Sequence, residues 1–228
     1  MLTSTGNDTV KRFAKLHQKK YRDKEGLFII EGPHLVEEAL KHGRVHTVFS
    51  LEKREGAVQV NQAVMKKLTD THHVPPVAAV AFKPELKTLS DKVLILERIQ
   101  DPGNVGTLIR TALAFGFTSV VLDRTADVYS PKVIRSTQGA IFQMDLRFMD
   151  VKSFKEANPE HTLYAAAVDG TAAFKSPEGP CGLVLGNEGQ GLESSTQRLC
   201  EHLIRIPIDH IDSLNVAVAG GILMHKLK

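Results

Sequence analysis

Three short loops in the chain have residue types that could bind a ligand and act on it. The first, DPGNVGTLIR at 101–110, holds an asparagine and an arginine. The second, LGNEGQGL at 185–192, holds three glycines and a lone carboxylate, Glu188. The third, IPIDHIDSLN at 206–215, ends in polar residues. Because glycine lets bare backbone approach a ligand, the loops predict a cofactor site with polar side chains beside it.

The glycine spacing matches no common nucleotide-binding fingerprint. The chain contains no GxxxxGK[ST] sequence, which excludes a phosphate-binding P-loop. GNEGQG is spaced GxxGxG rather than GxGxxG, and the early strand-turn-helix unit of a dinucleotide fold, with an acid about 20 residues later, is missing. Taken alone, the glycine loop is equally consistent with a structural turn.

Alternating strands and helices are predicted to position these loops in the second part of the chain. Strands are predicted at 93–99, 119–123, 162–168, 181–186 and 203–208, and helices at 107–116, 130–140, near 193–200 and at 213–228. Repeated strand-loop-helix order favours an open parallel α/β sheet with ligands at the carboxyl ends of its strands. All three loops fall at such ends.

The first part of the chain predicts a smaller α/β domain. Helices are predicted at about 8–21, 33–43 and 61–70, and strands at 26–32, 45–51 and 75–82. The stretch KPELKTLSDK is polar, contains a proline and lacks periodicity, as a linker does. We therefore predict a small domain at 1–82, a linker at 83–92 and a second domain at 93–228.

Composition limits the classes of function. The 228 residues are 42% hydrophobic, enough to bury a core without disulfides. Cys181, Cys200 and the scattered histidines have no metal-ligand spacing, and the His72–His73 pair has no cysteine or acidic cluster nearby, so we expect no metal site. The N-terminus lacks a signal-peptide pattern, and no apolar run approaches the roughly 20 residues that span a bilayer. We expect a soluble, cytoplasmic protein without a membrane partner.

Positive charge is concentrated in the first part of the chain. Residues 1–90 carry 15 Lys and Arg against 10 Asp and Glu, whereas residues 91–228 carry 14 against 16. Segment 11–24 holds seven cationic residues and one acid. A solvated helix with i,i+4 lysines explains this pattern. A polyanionic partner also explains it, because clustered Lys and Arg displace counterions from a phosphate backbone. Charge alone leaves both interpretations open.

The three loops together form a far more specific pattern. N-x-G-x-x-x-R at 104–110, L-G-N-E-G-x-G at 185–191 and I-P-I…S-L-N-V-A-V-A at 206–219 occur in this order. They resemble the three motifs of the SpoU/TrmH family of RNA ribose methyltransferases, in the SPOUT superfamily, over essentially all of 93–228. K-x-R-x-x-x-x-L-F-I-I-E-G at 20–32 resembles the ribosomal-protein-like substrate-binding domain that often precedes it.

The resemblance implies a fold and a cofactor. The fold is a C-terminal parallel-sheet α/β domain with a deep trefoil knot, an exception to the rule that chains do not thread loops, after a small α/β RNA-binding domain. The family also implies a homodimer and S-adenosylmethionine bound through loop backbone. Its cofactor contacts fall at Gly186, Ile206 and Leu214. Loop 208–212 is one residue shorter than in many relatives and carries acids where glycine is common.

The resemblance also implies a catalytic set for methyl transfer to a ribose 2′-hydroxyl: Asn104, Arg110, Glu188, Ser213 and Asn215. The arginine is usually described as the general base, although a guanidinium stays protonated in proteins. We favour an arginine that clamps an RNA phosphate and stabilises the developing alkoxide, with the phosphate or water as proton acceptor. Simpler roles stay open. The asparagines and the serine could cap helices, and the glutamate could brace its own loop.

RNA-binding candidates come from the basic segment and from a further family-like segment, SPKVIRSTQGA. They are Lys19, Lys20, Arg22 and Arg135, the last of which the resemblance places near the RNA, from either subunit of the dimer. The N-terminal domain and its basic helix favour ribosomal RNA over transfer RNA. Two alternatives stay open: a transfer RNA 2′-O-methyltransferase, and a non-catalytic RNA-binding module, which the intact catalytic set disfavours. A dehydrogenase-like enzyme is disfavoured by the missing fingerprint.

Overall fold

The chain folds into two compact units. The computed structural model describes residues 1–71 and 73–228, so His72 of the pair considered above lies outside the described residues. One unit combines Met1–Pro84 with Tyr129–Phe142, and the other combines Glu85–Val128 with Gln143–Lys228. The segment Tyr129–Phe142 therefore packs with the first unit, although it falls inside the predicted second domain.

Strands and short helices alternate along the chain. The strands are β1 Leu27–Glu31, β2 Val45–Ser50, β3 Ala57–Gln59, β4 Val77–Phe82, β5 Lys92–Glu97, β6 Ser119–Asp123, β7 Asp145–Arg147, β8 Thr162–Thr171, β9 Cys181–Leu185 and β10 His202–Ile204. The α-helices are α1 Asp8–Ala14, α2 Lys19–Glu25, α3 Pro33–Lys41, α4 Gln62–Leu68, α5 Pro102–Ala114, α6 Pro131–Thr137, α7 Val151–Ala157, α8 Ser194–Gln197 and α9 Val216–Leu227. Short 3-10 turns lie at Lys15–His17 and Ala140–Phe142.

The first unit is built on a four-stranded sheet in the order β1-β4-β2-β3. The pairs β1–β4 and β4–β2 are antiparallel, and β2–β3 is parallel. Apolar residues of α1, α4 and the strands, among them Phe13, Phe49 and Met65, form one buried cluster. Phe28 of β1 contacts the rings of Tyr129 and Phe142, which explains why Tyr129–Phe142 belongs to this unit.

The basic segment forms two helices rather than the single helix predicted at 8–21. Between α1 and α2 the chain makes the 3-10 turn, and Gln18 is extended, with φ −97° and ψ 131°. Arg22 of α2 reaches back and donates hydrogen bonds to the carbonyl oxygens of Leu16 (2.6 Å) and His17 (2.8 Å). These carbonyls would otherwise lack partners at the end of a helical run, so a buried side chain stabilises the break.

The second unit is built on a six-stranded, entirely parallel sheet in the order β10-β8-β9-β5-β6-β7. The central strands β5, β6 and β9 are buried almost throughout. Their continuous Val, Leu and Ile runs follow from this position, because a parallel sheet is covered by helices on both faces. The predicted open parallel α/β sheet is confirmed.

At two places that matter for function, the observed boundary of an element differs from the predicted one. Helix α5 begins at Pro102, where Asp101 accepts a hydrogen bond from the backbone N–H of Asn104 as the N-cap. Asn104, which we predicted to lie in a loop, is therefore in the first turn of a helix. Strand β10 ends at Ile204, so residues 206–208, which we predicted to be strand, belong to a loop. The short elements β3, β7 and α7 were not predicted.

Among residues 1–71 and 73–228, no helix is both long enough and apolar enough to cross a bilayer.

Candidate active site

The loops after β5 and β9 lie side by side because these strands are neighbours in the sheet. They pair in parallel from Lys92 with Cys181 to Leu96 with Leu185. Parallel strands present their carboxyl ends at one edge of a sheet, where ligands of open α/β folds bind. The first two candidate loops are therefore brought together by the sheet itself.

A hydrogen-bonded relay links residues from all three loops. The side-chain amide of Asn215 donates to Oδ1 of Asn104 at 3.0 Å, and the amide of Asn104 donates to Oε1 of Glu188 at 3.1 Å. Three of the five predicted catalytic residues thus form one chain of side-chain hydrogen bonds, although they are far apart in the amino-acid sequence.

Glu188 is surrounded by donors. Its carboxylate accepts hydrogen bonds from the backbone N–H groups of Asp101 (3.1 Å) and Gln100 (3.3 Å), and from the amide of Asn187 (3.4 Å). Burial raises the pKa of Glu188, but hydrogen bonds from its own backbone N–H, from the amide of Asn104 and from the backbone N–H groups of Asp101 and Gln100 outweigh it, and the pKa is lowered from its ordinary value. The glutamate is therefore an ionised acceptor that joins two loops, and it is poorly suited to take a proton near neutral pH.

Asn215 performs two tasks at once. Its side-chain oxygen accepts from the backbone N–H groups of Ala217 (2.9 Å) and Val218 (3.3 Å) and so caps α9. Its amide remains available to Asn104. The helix-cap interpretation and the site interpretation are both compatible with this geometry, because the two functions use different atoms of one side chain.

Arg110 lies on α5, less than two turns beyond Asn104. Its side chain is exposed, and within residues 1–71 and 73–228 no group forms a hydrogen bond or ion pair with it. Ser213 is also exposed and precedes the cap of α9. The structure therefore does not connect these two residues to the relay, and their catalytic roles remain predictions.

A cavity of about 580 Å³ opens between the second and third loops. It is lined by Gly186 and the rest of the glycine loop, by Ile206, Ser213 and Leu214 of the third loop, and by the end of β8. All three predicted cofactor contacts line it. Its size is that of a small-molecule site, and its walls combine aliphatic side chains with loop backbone.

Gly186 is required by the glycine loop itself. A β-carbon at this position would lie 2.4 Å from the backbone of Gly191 and Leu192. We predicted a different reason for this glycine, the close approach of loop backbone to the cofactor. In the structure, the backbone of the loop itself packs against Gly186, so the loop requires a glycine here whether or not a ligand is bound.

The loop at 208–212 contains a strained residue. His210 has φ +66°, in the left-handed region that histidine enters more often than most residues but less readily than glycine. The acids on either side, Asp209 and Asp212, are exposed. Within 208–212 the backbone makes this turn without a glycine.

The predicted RNA-binding residues lie in the first unit and differ in how freely their charged groups could reach an RNA phosphate. Lys19 is paired with Asp23 at 2.6 Å, whereas the ammonium of Lys20 lies 4.9 Å from the ring centre of Tyr21. The prediction that Arg22 contacts a phosphate was wrong, because the residue is 4% exposed and its guanidinium donates hydrogen bonds to backbone carbonyls. Arg135 forms an ion pair with the buried carboxylate of Glu31 at 3.2 Å.

Several residues around the site were not found from the sequence. Gln100 and Asp101 donate backbone N–H groups, and Asn187 and Arg98 fix the glycine loop through their side chains. Backbone donors leave no trace in residue type. Asn187 stands within the quoted L-G-N-E-G pattern, which was the available signal. Within the described residues, no group of three or more His, Cys, Asp or Glu could hold a metal ion.

A second depression, of about 650 Å³, lies along α5 and α9. Phe115, Val218 and Ile222 are among its apolar lining residues, and Asn104 and Asn215 of the relay also line it. Val218 is 53% exposed. This surface, called the α5–α9 face below, is therefore continuous with the site.

Comparison with known proteins gives the family. A model described as the SpoU rRNA Methylase family matches residues 91–225, and one described as an MRM3-like substrate binding domain matches residues 7–79. The chain belongs to the SpoU rRNA methylase family. The family resemblance predicted from the three loops and from residues 20–32 is thereby confirmed.

Two relatives of this SpoU methylase show how far the likeness extends. It is 36% identical to a 23S rRNA (guanosine(2553)-2′-O)-methyltransferase of Bacillus subtilis, over 100% of this chain and 98% of the relative. The crystal structure of an AdoMet-bound rRNA methyltransferase from Sinorhizobium meliloti superposes with a TM-score of 0.88 at 30% identity, covering 99% of this chain and 96% of that one.

Proposed function

We propose that this protein transfers a methyl group from S-adenosylmethionine to a ribose 2′-hydroxyl of ribosomal RNA. The observation that carries the proposal is the Asn215–Asn104–Glu188 relay, which lies beside a cavity of nucleoside size. The rRNA methyltransferases to which the chain is similar support both the substrate class and the cofactor.

The cavity fits the cofactor in size and in the character of its walls. Gly186, Ile206 and Leu214 would hold the adenosine through loop backbone and aliphatic contacts. Asp169, Arg205 and Asp212 also line the cavity and could pair with the charged amino-acid part of the molecule. When bound, S-adenosylmethionine supplies an electrophilic methyl group on a sulfonium.

The protein's own task is to orient the ribose and to stabilise charge. Arg110 is exposed, and no described residue forms an ion pair with it. Its guanidinium is therefore available to clamp an RNA phosphate and to stabilise the alkoxide that develops as the hydroxyl loses its proton. The phosphate or water accepts this proton, because a guanidinium does not act as a base near neutral pH.

The asparagines orient groups without changing charge. Glu188 fixes Asn104, and Asn104 in turn fixes Asn215 at the start of α9. The two side chains are thus held in one arrangement at the rim of the site, where they could position Arg110 or the ribose. Ser213 could add a further hydrogen bond from the third loop.

The first unit is proposed to bind RNA. Its likeness to a substrate-binding domain and the excess of cationic residues in 1–90 support this assignment. Lys19 and Lys20 remain candidate contacts, and Arg135 could change its partner from Glu31 to a phosphate. Along the chain we retain the predicted ranges, with a substrate-binding domain at 1–82, a linker at 83–92 that ends where β5 begins, and a methyltransferase domain at 93–228 whose segment Tyr129–Phe142 packs with the first unit.

We further propose a homodimer that pairs through the α5–α9 face. Its exposed apolar residues and its continuity with Asn104 and Asn215 support this choice. The deep trefoil knot of the C-terminal domain is proposed from family membership. The predicted cytoplasmic location rests on the rRNA substrate.

The proposal is tested by mapping ribose methylation in total RNA from a deletion strain and its parent. We expect one 2′-O-methyl group to disappear from ribosomal RNA, and to return when purified enzyme and S-adenosylmethionine are added to RNA from the deletion strain. Loss of a methyl group from transfer RNA instead would overturn the choice of substrate. No loss in any RNA, together with no binding of S-adenosylmethionine, would identify a non-catalytic module.

A further inference from the structure

The glycine loop forms one wall of the cofactor cavity and is closed by its own backbone. Asn187 and Gly191 exchange backbone hydrogen bonds of 3.1 and 2.9 Å. The side-chain oxygen of Asn187 accepts from the N–H groups of Gly189 and Gln190, both at 3.0 Å. Such a tight turn presents its remaining polar groups in fixed directions, so whatever holds its two ends controls the shape of the cavity wall.

Both ends of this turn are attached to one residue, Arg98. Its guanidinium donates to the side-chain oxygen of Gln190 at 3.1 Å and to the carbonyl oxygen of Gly191 at 3.4 Å. Its own carbonyl oxygen accepts from the amide of Asn187 at 2.9 Å. Arg98 therefore contacts the first residue of the turn and its last two.

Arg98 is itself held rigidly at the end of β5. It has φ +56°, and its N–H donates to the carbonyl of Asp123 at the end of β6, at 2.8 Å. Its Nε lies 3.4 Å from the carboxylate of Glu193, just beyond the loop. The side chain is only 23% exposed, so little of this arrangement is weakened by solvent.

We propose that Arg98 is a positioning residue that holds residues 187–191 in the conformation able to bind S-adenosylmethionine. Its guanidinium sets affinity for the cofactor and has little influence on the chemical step. The inference rests on the proposed function, because it assigns the cavity to this cofactor. It concerns a residue outside the three motifs that carry the family resemblance.

Arg124 provides a matched control. It follows β6 as Arg98 follows β5, it also has positive φ (+52°), and it also pairs with Glu193, at 3.1 Å. Within residues 1–71 and 73–228, it makes no hydrogen bond or ion pair with residues 187–191. Alanine at either position meets the same backbone strain and removes one charge partner of Glu193. Arg124→Ala also releases the carboxylates of Asp123 and Glu97, so a loss of cofactor affinity confined to Arg98→Ala is assigned to the contact with the loop.

The test is isothermal titration of S-adenosylmethionine into wild-type protein, Arg98→Ala, Arg98→Lys and Arg124→Ala. Arg98→Ala should raise Kd about tenfold or more, as expected when charged hydrogen bonds to the loop are lost. Arg98→Lys should raise Kd by a smaller factor, because one ammonium cannot donate as a fork to both acceptors. Arg124→Ala should leave Kd within about twofold. At saturating cofactor, kcat of Arg98→Ala should stay within about threefold of wild type.

The outcomes separate the inference from a general structural role. An unchanged Kd in Arg98→Ala, or an equal loss of affinity in Arg98→Ala and Arg124→Ala, would overturn it. If Arg98→Ala does not fold, the Arg98→Lys titration decides: a raised Kd with an unchanged unfolding temperature supports the inference, and an unchanged Kd overturns it. Failure of the wild-type protein to bind S-adenosylmethionine would refute the proposed function instead.

Discussion

At the scale of single residues, the lowered pKa of Glu188 keeps its carboxylate ionised, and its contacts unchanged, near neutral pH. Its pKa is lowered below 4.5 by donated hydrogen bonds. A lowered pKa means that its stabilising contribution is fully present above the ordinary value and is lost only as pH falls through the lower folded-state value. From about pH 6 to 9 the carboxylate should therefore remain ionised, and Asn104 should keep its partner throughout.

Glu188→Gln should lower the methylation rate at every pH in this window without moving the limbs of the pH–rate profile. The amide directs an NH₂ group at existing donors, so Asn104 or the backbone of residues 100–101 loses its acceptor. We expect a fall of about tenfold or more in kcat. A profile whose limb disappears in the variant would show instead that Glu188 titrates as the catalytic base.

Arg110→Ala should separate chemistry from cofactor binding. No described residue forms an ion pair with the arginine, and it does not line the cofactor cavity. Stability and Kd for S-adenosylmethionine should therefore change little. Single-turnover methylation should slow by about a hundredfold or more if the guanidinium stabilises transition-state charge. A variant that methylates RNA at the wild-type rate would contradict this assignment.

Gly186 and Gly189 lie on the same loop but differ in the space around them. Gly186→Ala would place a carbon 2.4 Å from the backbone of Gly191, whereas the nearest atom to a β-carbon at Gly189 lies 3.8 Å away. Backbone must shift in the first case, so we expect weaker cofactor binding and a lower unfolding temperature. Gly189→Ala should bind with nearly wild-type Kd. Equal titration curves for the two variants would show that the loop is not closed in this way.

At the scale of elements, the broken basic helix changes which lysines can meet RNA. Lys11 and Lys19 are ion-paired with acids of their own helices, at 3.5 and 2.6 Å. Within the part of the chain that the structure describes, Lys15 and Lys20 contact no acid and lie beside the ring of Tyr21, with their ammonium groups 5.5 and 4.9 Å from its centre. An ammonium beside an aromatic face gives up only a weak cation–π contact when it turns to a phosphate. The ring is also a surface on which a base could stack.

The double variant Lys15→Ala/Lys20→Ala should therefore flatten the salt dependence of RNA binding more than Lys11→Ala/Lys19→Ala, which removes the same formal charge. Two lost phosphate contacts reduce the slope of log K against log salt by roughly 1.4 to 1.8. Filter-binding titrations at several salt concentrations measure this slope. If neither double variant changes the slope, segment 11–24 is a solvated surface, which is the other interpretation of its i,i+4 lysines.

At the scale of the whole molecule, the α5–α9 face should determine the oligomeric state. Val218→Glu places a charge in this face, where burial against a second copy would be costly. We expect wild-type protein to be a dimer by light scattering and the variant to be largely a monomer. Leu40→Glu, at an equally exposed site (53%) on α3, should remain a dimer. A wild-type monomer, or a fully dimeric Val218→Glu, would contradict the proposed interface.

Sequence patterns by themselves determined most of the elements and the order of the candidate loops. Apolar runs identified the central strands β5, β6 and β9, because a strand buried on both faces has no polar alternation. Pro33 and Gly43 marked the ends of α3 for local reasons of backbone geometry. The residue types at 104, 188 and 215 identified candidate chemistry, and their family-like spacing assigned it a reaction.

Tertiary structure decided what those residues contact. The adjacency of β5 and β9 brings Glu188 within hydrogen-bonding distance of Asn104. No local pattern specifies this contact, because it depends on sheet order. The same holds for Arg22, which sequence counted as a free cation and which the fold buries against carbonyls of the preceding turn. Arg98 had no sequence signal, because its role comes from a backbone turn of positive φ and from partners about 90 positions away. Local sequence determines propensity and pattern, whereas partners distant along the chain are decided only when the sheet assembles.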